Sequence, residues 1–261
     1  MKHLTDVLFE FLNYPLSSGD LILEKFKSIN SAINRRGNEP KQEFVYIKGN
    51  REDRVLLVAH VDTVWDFTNI GIEELYPEII EHDGVISSAN ENFGIGADDR
   101  AGCALLWLLK DLGHSLLLVD GEEKREINGK TLSCIGSNWI MNDPKNTDIR
   151  EDIQNHQFMI QFDRQQGNQF KCYTVATEEF RNYVIEKTGY YEPDRERSTD
   201  IKILARDICG VNLSVGYYNE HTPQEKIVIK EWLNTLKIVQ NWLEEPFLPK
   251  YELNINKSIN L

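Results

Sequence analysis

Cysteine pairs, membrane-length apolar runs and an excess of basic charge are all missing from this sequence, and each absence excludes something. Four cysteines occur in 261 residues. Cys103, Cys134, Cys172 and Cys209 lie far apart, with no C-x-x-C pair to build a structural zinc site or a redox centre. They read as reduced, buried thiols. No stretch reaches the roughly 20 apolar residues that span a bilayer. The N-terminal MKHLTDVLFEFLNYPLSSGD carries acids inside its apolar run and lacks a small-residue cleavage site. It therefore reads as an amphipathic helix rather than a signal peptide, with a cytoplasmic location as the expectation. Only 29 basic side chains face 42 acidic ones, a net charge of -13, which disfavours nucleic acid and anionic membranes as partners. Internal repeats and low-complexity linkers are also absent.

What is present is an alternation of apolar runs and helical patterns, long enough to bury a sizeable core. The alternation predicts an α/β layer structure with a mixed, largely parallel central sheet and helices on both faces. Arg54 to Val61 (RVLLVAHV) and Ser115 to Val119 (SLLLV) read as strands buried on both faces, and Gln157 to Phe162 as a third. Between the first two, Ala101, Ala104, Leu105, Leu108, Leu109 and Leu112 recur with the spacing of one helix face. Thr222-Pro-Gln-Glu225 has the form of a capping box, predicting a long helix to Leu243 with Val228, Trp232, Leu236, Val239 and Leu243 on its inner face. One domain is expected over 1–243, with an irregular tail over 244–261.

Polar residues of the metal-ligand type cluster just beyond these strand ends, where open α/β sheets place their sites. His60 and Asp62 form His-x-Asp, a spacing that puts both side chains on one face, and Asp62 could orient a metal-bound His60. Taken singly, the pair reads more often as a strand-end hydrogen bond than as a metal site. The glycine-rich turn GIGADDRAG (94–102) carries Asp98 and Asp99 into a helix. Asp99 stands where a dinucleotide loop needs its third glycine, and two acids would repel a pyrophosphate, although either acid could simply cap the helix. Glu122 and Glu123 follow the second strand, where a solvated turn is the plainer reading. Asp163 closes the third, and could equally pair with Arg164 at the surface. His221 precedes the C-terminal helix and alone would pass as a turn residue. His3, His82, His114 and His156 lack such context and read as structural or exposed.

Taken in order, VLLVAHVDTV, GIGADDRAG, LLLVDGEE, FDRQ and STDIKILARDICGVNLSVGYYNEHTPQE resemble the motifs of the co-catalytic zinc exopeptidases. That clan includes tripeptidase T, the glutamate carboxypeptidases and single-domain leucine aminopeptidases, and the resemblance spans Val55 to Ile229. It implies a three-layer zinc exopeptidase-like fold. It makes His60 and Asp163 ligands of one ion, Glu123 and His221 ligands of the other, and Asp98 the bridge, through a cis peptide to Asp99. Glu122 becomes the general base and acid, and Asp62 the partner of His60. The charges agree: three carboxylates and two neutral imidazoles leave one positive charge of two divalent ions, which a bridging hydroxide neutralises. Histidine and carboxylate donors without thiolate suit two Zn²⁺, and also admit Mn²⁺ or Co²⁺.

The chain departs from the larger members of that clan between Asp163 and His221, where a separate lid or dimerisation domain has no room. It therefore resembles the catalytic domain alone. The expected activity is hydrolysis of a peptide bond in short peptides by an aminopeptidase, with an N-acyl amino acid deacylase or carboxypeptidase as alternatives in the same chemistry. A catalytically inactive metal-binding protein is the alternative of another class. Asp200, Tyr217 and Tyr218 are candidates for a substrate amine, and Arg100, Arg197 and Arg206 for a carboxylate. The sequence leaves the oligomeric state open.

Overall fold

Alternate residues along the buried strands face opposite layers, and this period of two organises the molecule. The computed structural model describes residues 2–66, 75–127, 129–194 and 198–253. The first elements are α1 (Lys2–Leu12), α2 (Asp20–Lys27), β1 (Ile33–Arg36), β2 (Glu43–Ile47) and β3 (Leu56–His60). Next come β4 (Ile79–His82), β5 (Val85–Ser88), α3 (Ala97–Leu109), β6 (Ser115–Val119), β7 (Arg125–Ile127) and β8 (Lys130–Leu132). They are followed by α4 (Ile135–Asn142), α5 (Thr147–Gln154), β9 (Met159–Arg164), β10 (Phe170–Lys171) and α6 (Glu178–Thr188). The last are α7 (Ile201–Leu204), β11 (Gly210–Ser214), β12 (Tyr217–Tyr218), β13 (Lys226–Val228) and α8 (Ile229–Leu243).

Seven strands form the main sheet in the order β1-β2-β6-β3-β9-β11-β10. The four inner strands, β6, β3, β9 and β11, run parallel, while β1, β2 and β10 join antiparallel at the edges. Leu57, Ala59, Leu116 and Leu118 face a core shared with α1, α2, α3, α6 and α8. Leu56, Val58, Leu117 and Val119 face the opposite core, against Trp139 and Ile140 of α4, Ile149 and Ile153 of α5, and Ile201 and Leu204 of α7. Burial on both faces explains why these strands read as unbroken apolar runs, and it gives the three-layer architecture expected. Truncating one such residue, as in Leu118→Ala, costs about 3 kcal/mol.

The expected strand at 115–119 is β6 itself, and those at 54–61 and 157–162 correspond to β3 and β9. The amphipathic reading of the N-terminus holds in α1, which buries Val7, Leu8, Phe11 and Leu12. All four cysteines are free and buried. No helix among the described residues is long and apolar enough to cross a membrane.

The capping-box expectation fails. Residues 226–228 form β13, which pairs with β5 so that Ile227 lies opposite Ile86, and α8 begins only at Ile229. Pairing on both sides, with β12 and β5, overrides the local cap pattern. The Thr222 hydroxyl donates instead to the Asn219 carbonyl at 2.7 Å. Trp232, Leu236, Val239 and Leu243 are buried on α8 as expected, and the Trp232 indole donates to the Ala101 carbonyl at 3.0 Å, pinning α8 to α3. After α8 the chain is irregular and docked. Leu248 is fully buried, and Tyr251 and Leu253 exchange backbone hydrogen bonds with residues at the starts of β9 and β11. The remainder of the expected tail, 254–261, lies outside the described residues.

Candidate metal centre

The carboxyl ends of the parallel strands bring the candidate residues together. His60 ends β3 opposite Val119 of β6, so the Asp120–Glu123 turn leaves the sheet beside it. Asp163 is the penultimate residue of β9. Asp98 and Asp99 sit at the start of α3, joined by a cis peptide bond. His221 arrives from a second sheet, ordered β12-β13-β5-β4, in the turn between β12 and β13.

Asp98 lies between the two imidazoles. Its Oδ1 is 3.1 Å from His60 Nε2 and its Oδ2 is 3.1 Å from His221 Nε2. The same His60 nitrogen also faces Asp163 Oδ1 at 3.6 Å, and the same His221 nitrogen also faces Glu123 Oε1 at 2.9 Å. Donors about 2.1 Å from a tetrahedral zinc stand roughly 3.4 Å apart, and these separations bracket that value. Glu123 Oε1 is buried yet has no hydrogen-bond partner, because its approach to His221 has poor hydrogen-bond geometry. A desolvated carboxylate oxygen of this kind needs a cation, so the donor set fits divalent ions. Two groups of donors, His60/Asp99/Asp163 and Asp98/Glu123/His221, each have their atoms within 4.8 Å of one another. In the first group Asp99 is already engaged. Its Oδ2 accepts from the His60 amide at 3.2 Å and its Oδ1 from Gly102 at 3.0 Å. A Cβ at Gly102 would collide with both the Asp99 carboxylate and the Phe162 carbonyl. Asp98, with an oxygen 3.1 Å from His60 Nε2, is therefore the freer carboxylate on the His60 side.

Electrostatics follow from packing so many acids. Burial opposes a charge on either imidazole, but surrounding carboxylates win: His60 is held well above its usual range, and His221 is pushed up to about 11. Burial likewise works against Asp98 ionisation, yet hydrogen bonds with His221 and His60 pull its carboxyl down. Glu123 is raised to about 7 by burial, with His221 opposing and Asp98 adding. Glu122 is raised well above the ordinary range by burial and by the neighbouring Asp163.

The cavity has a volume of about 360 Å³ and is lined by Asp98, Glu122, Glu123, Asp163 and His221, with Tyr173, Ser198 and Thr199 among the other walls. Asp62 lies beneath it, fully buried. His60 Nδ1 is 3.1 Å from the Asp62 carbonyl and 3.4 Å from its carboxylate. That carboxylate does a second job the sequence did not show: it accepts from the amides of Gly121, Glu122 and Glu123 at 2.9, 3.0 and 3.2 Å. Asp163 is also held on several sides, by Gln161 at 2.9 Å, Thr199 at 3.2 Å and Tyr217 at 3.3 Å.

Glu225, read from sequence as a capping residue, is the main omission. It is 1 % exposed, and its Oε2 accepts from the Ile95 and Gly96 amides at 2.9 and 2.7 Å while Oε1 accepts from Asp98 at 3.0 Å. No local pattern signals a contact spanning 127 residues. Gly94 packs against this carboxylate and the Thr222 carbonyl too closely for any Cβ.

The substrate-recognition candidates among the described residues do not line the cavity. Tyr218 donates to Glu231, Arg100 is buried and donates to the carbonyls of Pro15 and Ser18, and Arg206 donates to Asn142 and lines a different cavity. Asp200 is buried and accepts from Ser137, Tyr217 donates to Asp163, and Arg197 lies outside the described residues. His114 and His156 are buried structural residues with backbone and side-chain partners, whereas His3 and His82 are exposed.

No protein-family model and no curated protein matches the sequence. Solved structures do match. Aminopeptidase PepT from Bacillus cereus superposes with a TM-score of 0.61 at 14 % identity, covering 93 % of this chain and 98 % of that one. The TET1 peptidase of Pyrococcus horikoshii, which can assemble into a tetrahedron or a large octahedral shell, gives 0.58 at 12 % identity with 93 % and 99 % covered. An Acidobacteriales glutaminyl cyclase gives 0.59 at 13 % identity, with 92 % of each chain covered. An aminopeptidase and a glutaminyl cyclase thus share this architecture, and at such identities the likeness establishes the fold alone. The chain has the mixed α/β fold that these structures share.

Proposed function

We propose that this protein is a metal-dependent hydrolase that cleaves a peptide bond of short peptides, acting as an aminopeptidase from one catalytic domain. The observation that carries this reading is the Asp98 carboxylate spanning His60 and His221, each flanked by a further carboxylate, with Glu122 on the same cavity wall. His60, Asp163 and Asp98 would hold one ion, and Glu123, His221 and Asp98 the other. Two divalent ions so held, zinc by the donor chemistry, supply Lewis acidity that activates water and polarises a carbonyl. Glu122 takes the proton of the attacking water and returns it to the departing amine. Asp62 orients His60 and fixes the backbone of Glu122 and Glu123. PepT and TET1 are the grounds for favouring peptides and amino-terminal cleavage.

The test is a panel of free peptides, carboxyl-terminal substrates and N-acyl amino acids, assayed with zinc-loaded and chelator-treated protein. Release of the amino-terminal residue, lost on chelation and restored by zinc, supports the proposal. Turnover restricted to N-acyl amino acids would reassign the enzyme as a deacylase, and no turnover by the zinc-loaded protein would remove the hydrolase reading.

A further inference from the structure

Behind the cavity, a chain of largely buried charges joins the segment after β3, which carries Asp62, to the segment after β6, which carries Glu122 and Glu123. Asp62 Oδ2, which accepts from the Glu123 amide, also lies 3.1 Å from an Arg125 guanidinium nitrogen. That nitrogen donates to the Thr63 carbonyl at 2.9 Å, and the other arm of the guanidinium donates to the Asp66 carbonyl at 2.9 Å. Arg125 stands 3.5 Å from the Asp66 carboxylate, which pairs with Lys41, and Lys41 reaches Asp120 at 3.1 Å. The Arg125 side chain is 12 % exposed and that of Asp62 fully buried. A planar guanidinium can hold several acceptors in one fixed arrangement, and here they belong to the segment after β3, while Arg125 itself belongs to the segment after β6.

We propose that Arg125 is a positioning residue for the metal centre: by clamping Asp62 against residues 63–66, it fixes where His60 and the Glu122–Glu123 pair stand. The proposal rests on the metal-hydrolase reading above. Without Arg125, Asp62 keeps its three amide donors and loses the cationic partner that it contacts directly. A desolvated carboxylate in that position tends to shift toward water or another cation, taking the His60 ring and the Glu123 backbone with it. Partners that orient metal ligands are worth about 10–100-fold in metal affinity or activity when removed.

The experiment measures zinc affinity by competition with a chromophoric chelator for wild type, Arg125→Met and Arg125→Lys, with circular dichroism of each metal-free protein. Arg125→Met is expected to bind zinc about 10–100-fold more weakly, with Arg125→Lys between it and wild type because charge returns without the planar fork. Arg35→Met, which breaks the ion pair with Asp148 at the edge strand β1, serves as the control and should retain zinc as wild type does. Unchanged affinity in folded Arg125→Met overturns the proposal. If that variant does not fold, unchanged affinity in folded Arg125→Lys overturns it and weakened affinity supports it. Failure of wild type to take up zinc would instead sink the metal reading and this inference together.

Discussion

Glu225 and Asp98 are bound through the Glu225 carboxylate and the Asp98 amide at 3.0 Å, across 127 residues of sequence. The same carboxylate serves Ile95 and Gly96, so one side chain fixes the backbone of the loop that presents Asp98, and it does so from the turn that presents His221. Burial pushes its carboxyl up to about 8, against the pull of those amides. Glu225→Ala strands three buried N–H groups, and a loss of about 3 kcal/mol in metal-free stability is expected. Urea unfolding checks this, and a change below about 0.5 kcal/mol, the range of ordinary surface substitutions, would show the clamp to be incidental.

Glu122 is not a ligand in this account, so Glu122→Gln should keep the metal content while lowering kcat about 10²–10⁴-fold. Elemental analysis alongside peptide turnover separates the two effects. Near-normal turnover would take the acid–base role away from Glu122.

The two imidazoles differ in exposure: the His60 side chain is 0 % accessible and that of His221 is 40 %. His221→Ala opens the accessible side only, leaving His60, Asp163 and Asp98 in place. It should retain about one zinc per chain, since three protein donors suffice for a zinc site completed by water. Retention of two by this variant, measured after dialysis, would show that His221 holds no ion.

Outside the centre, His156 offers a pH test. Its Nδ1–H donates to the Ile153 carbonyl at 3.0 Å, and its Nε2 accepts from the Ser115 hydroxyl at 2.7 Å. Burial, with Arg54 nearby, lowers its pKa to about 4, although the Ile153 bond opposes this. The unfolded chain binds this proton more readily, so the stabilisation is full above about pH 6.5 and is lost as the pH falls toward 4. Between pH 7 and pH 5, wild type should lose about 2 kcal/mol more stability than His156→Asn. Equal pH slopes in urea unfolding would contradict the assignment.

The layered sheet was legible because burial on both faces writes itself into sequence as unbroken apolar runs, which residues 56–59 and 116–119 are. Strand β2 escaped notice although all five of its residues are buried, since it begins with Glu43, whose charge is met by Lys27 and Arg36 from elsewhere in the fold. The ligand candidates were legible as a set because their chemistry is unusual at strand ends. Arg125, Glu225 and Thr199 were not, because each acts through neighbours distant in sequence. Thr222-Pro-Gln-Glu225 misled for the same reason: the pattern describes a local cap, while the folded chain spends Glu225 on the Asp98 loop.

Zinc stoichiometry of wild type against Asp98→Asn tests the central claim most directly. An amide presents only one oxygen acceptor where the carboxylate presents two, so it cannot bridge the two proposed ions. Two zinc ions per wild-type chain, with at most one retained by Asp98→Asn, is the predicted result. Equal zinc content in the two proteins, or none in wild type, would contradict it.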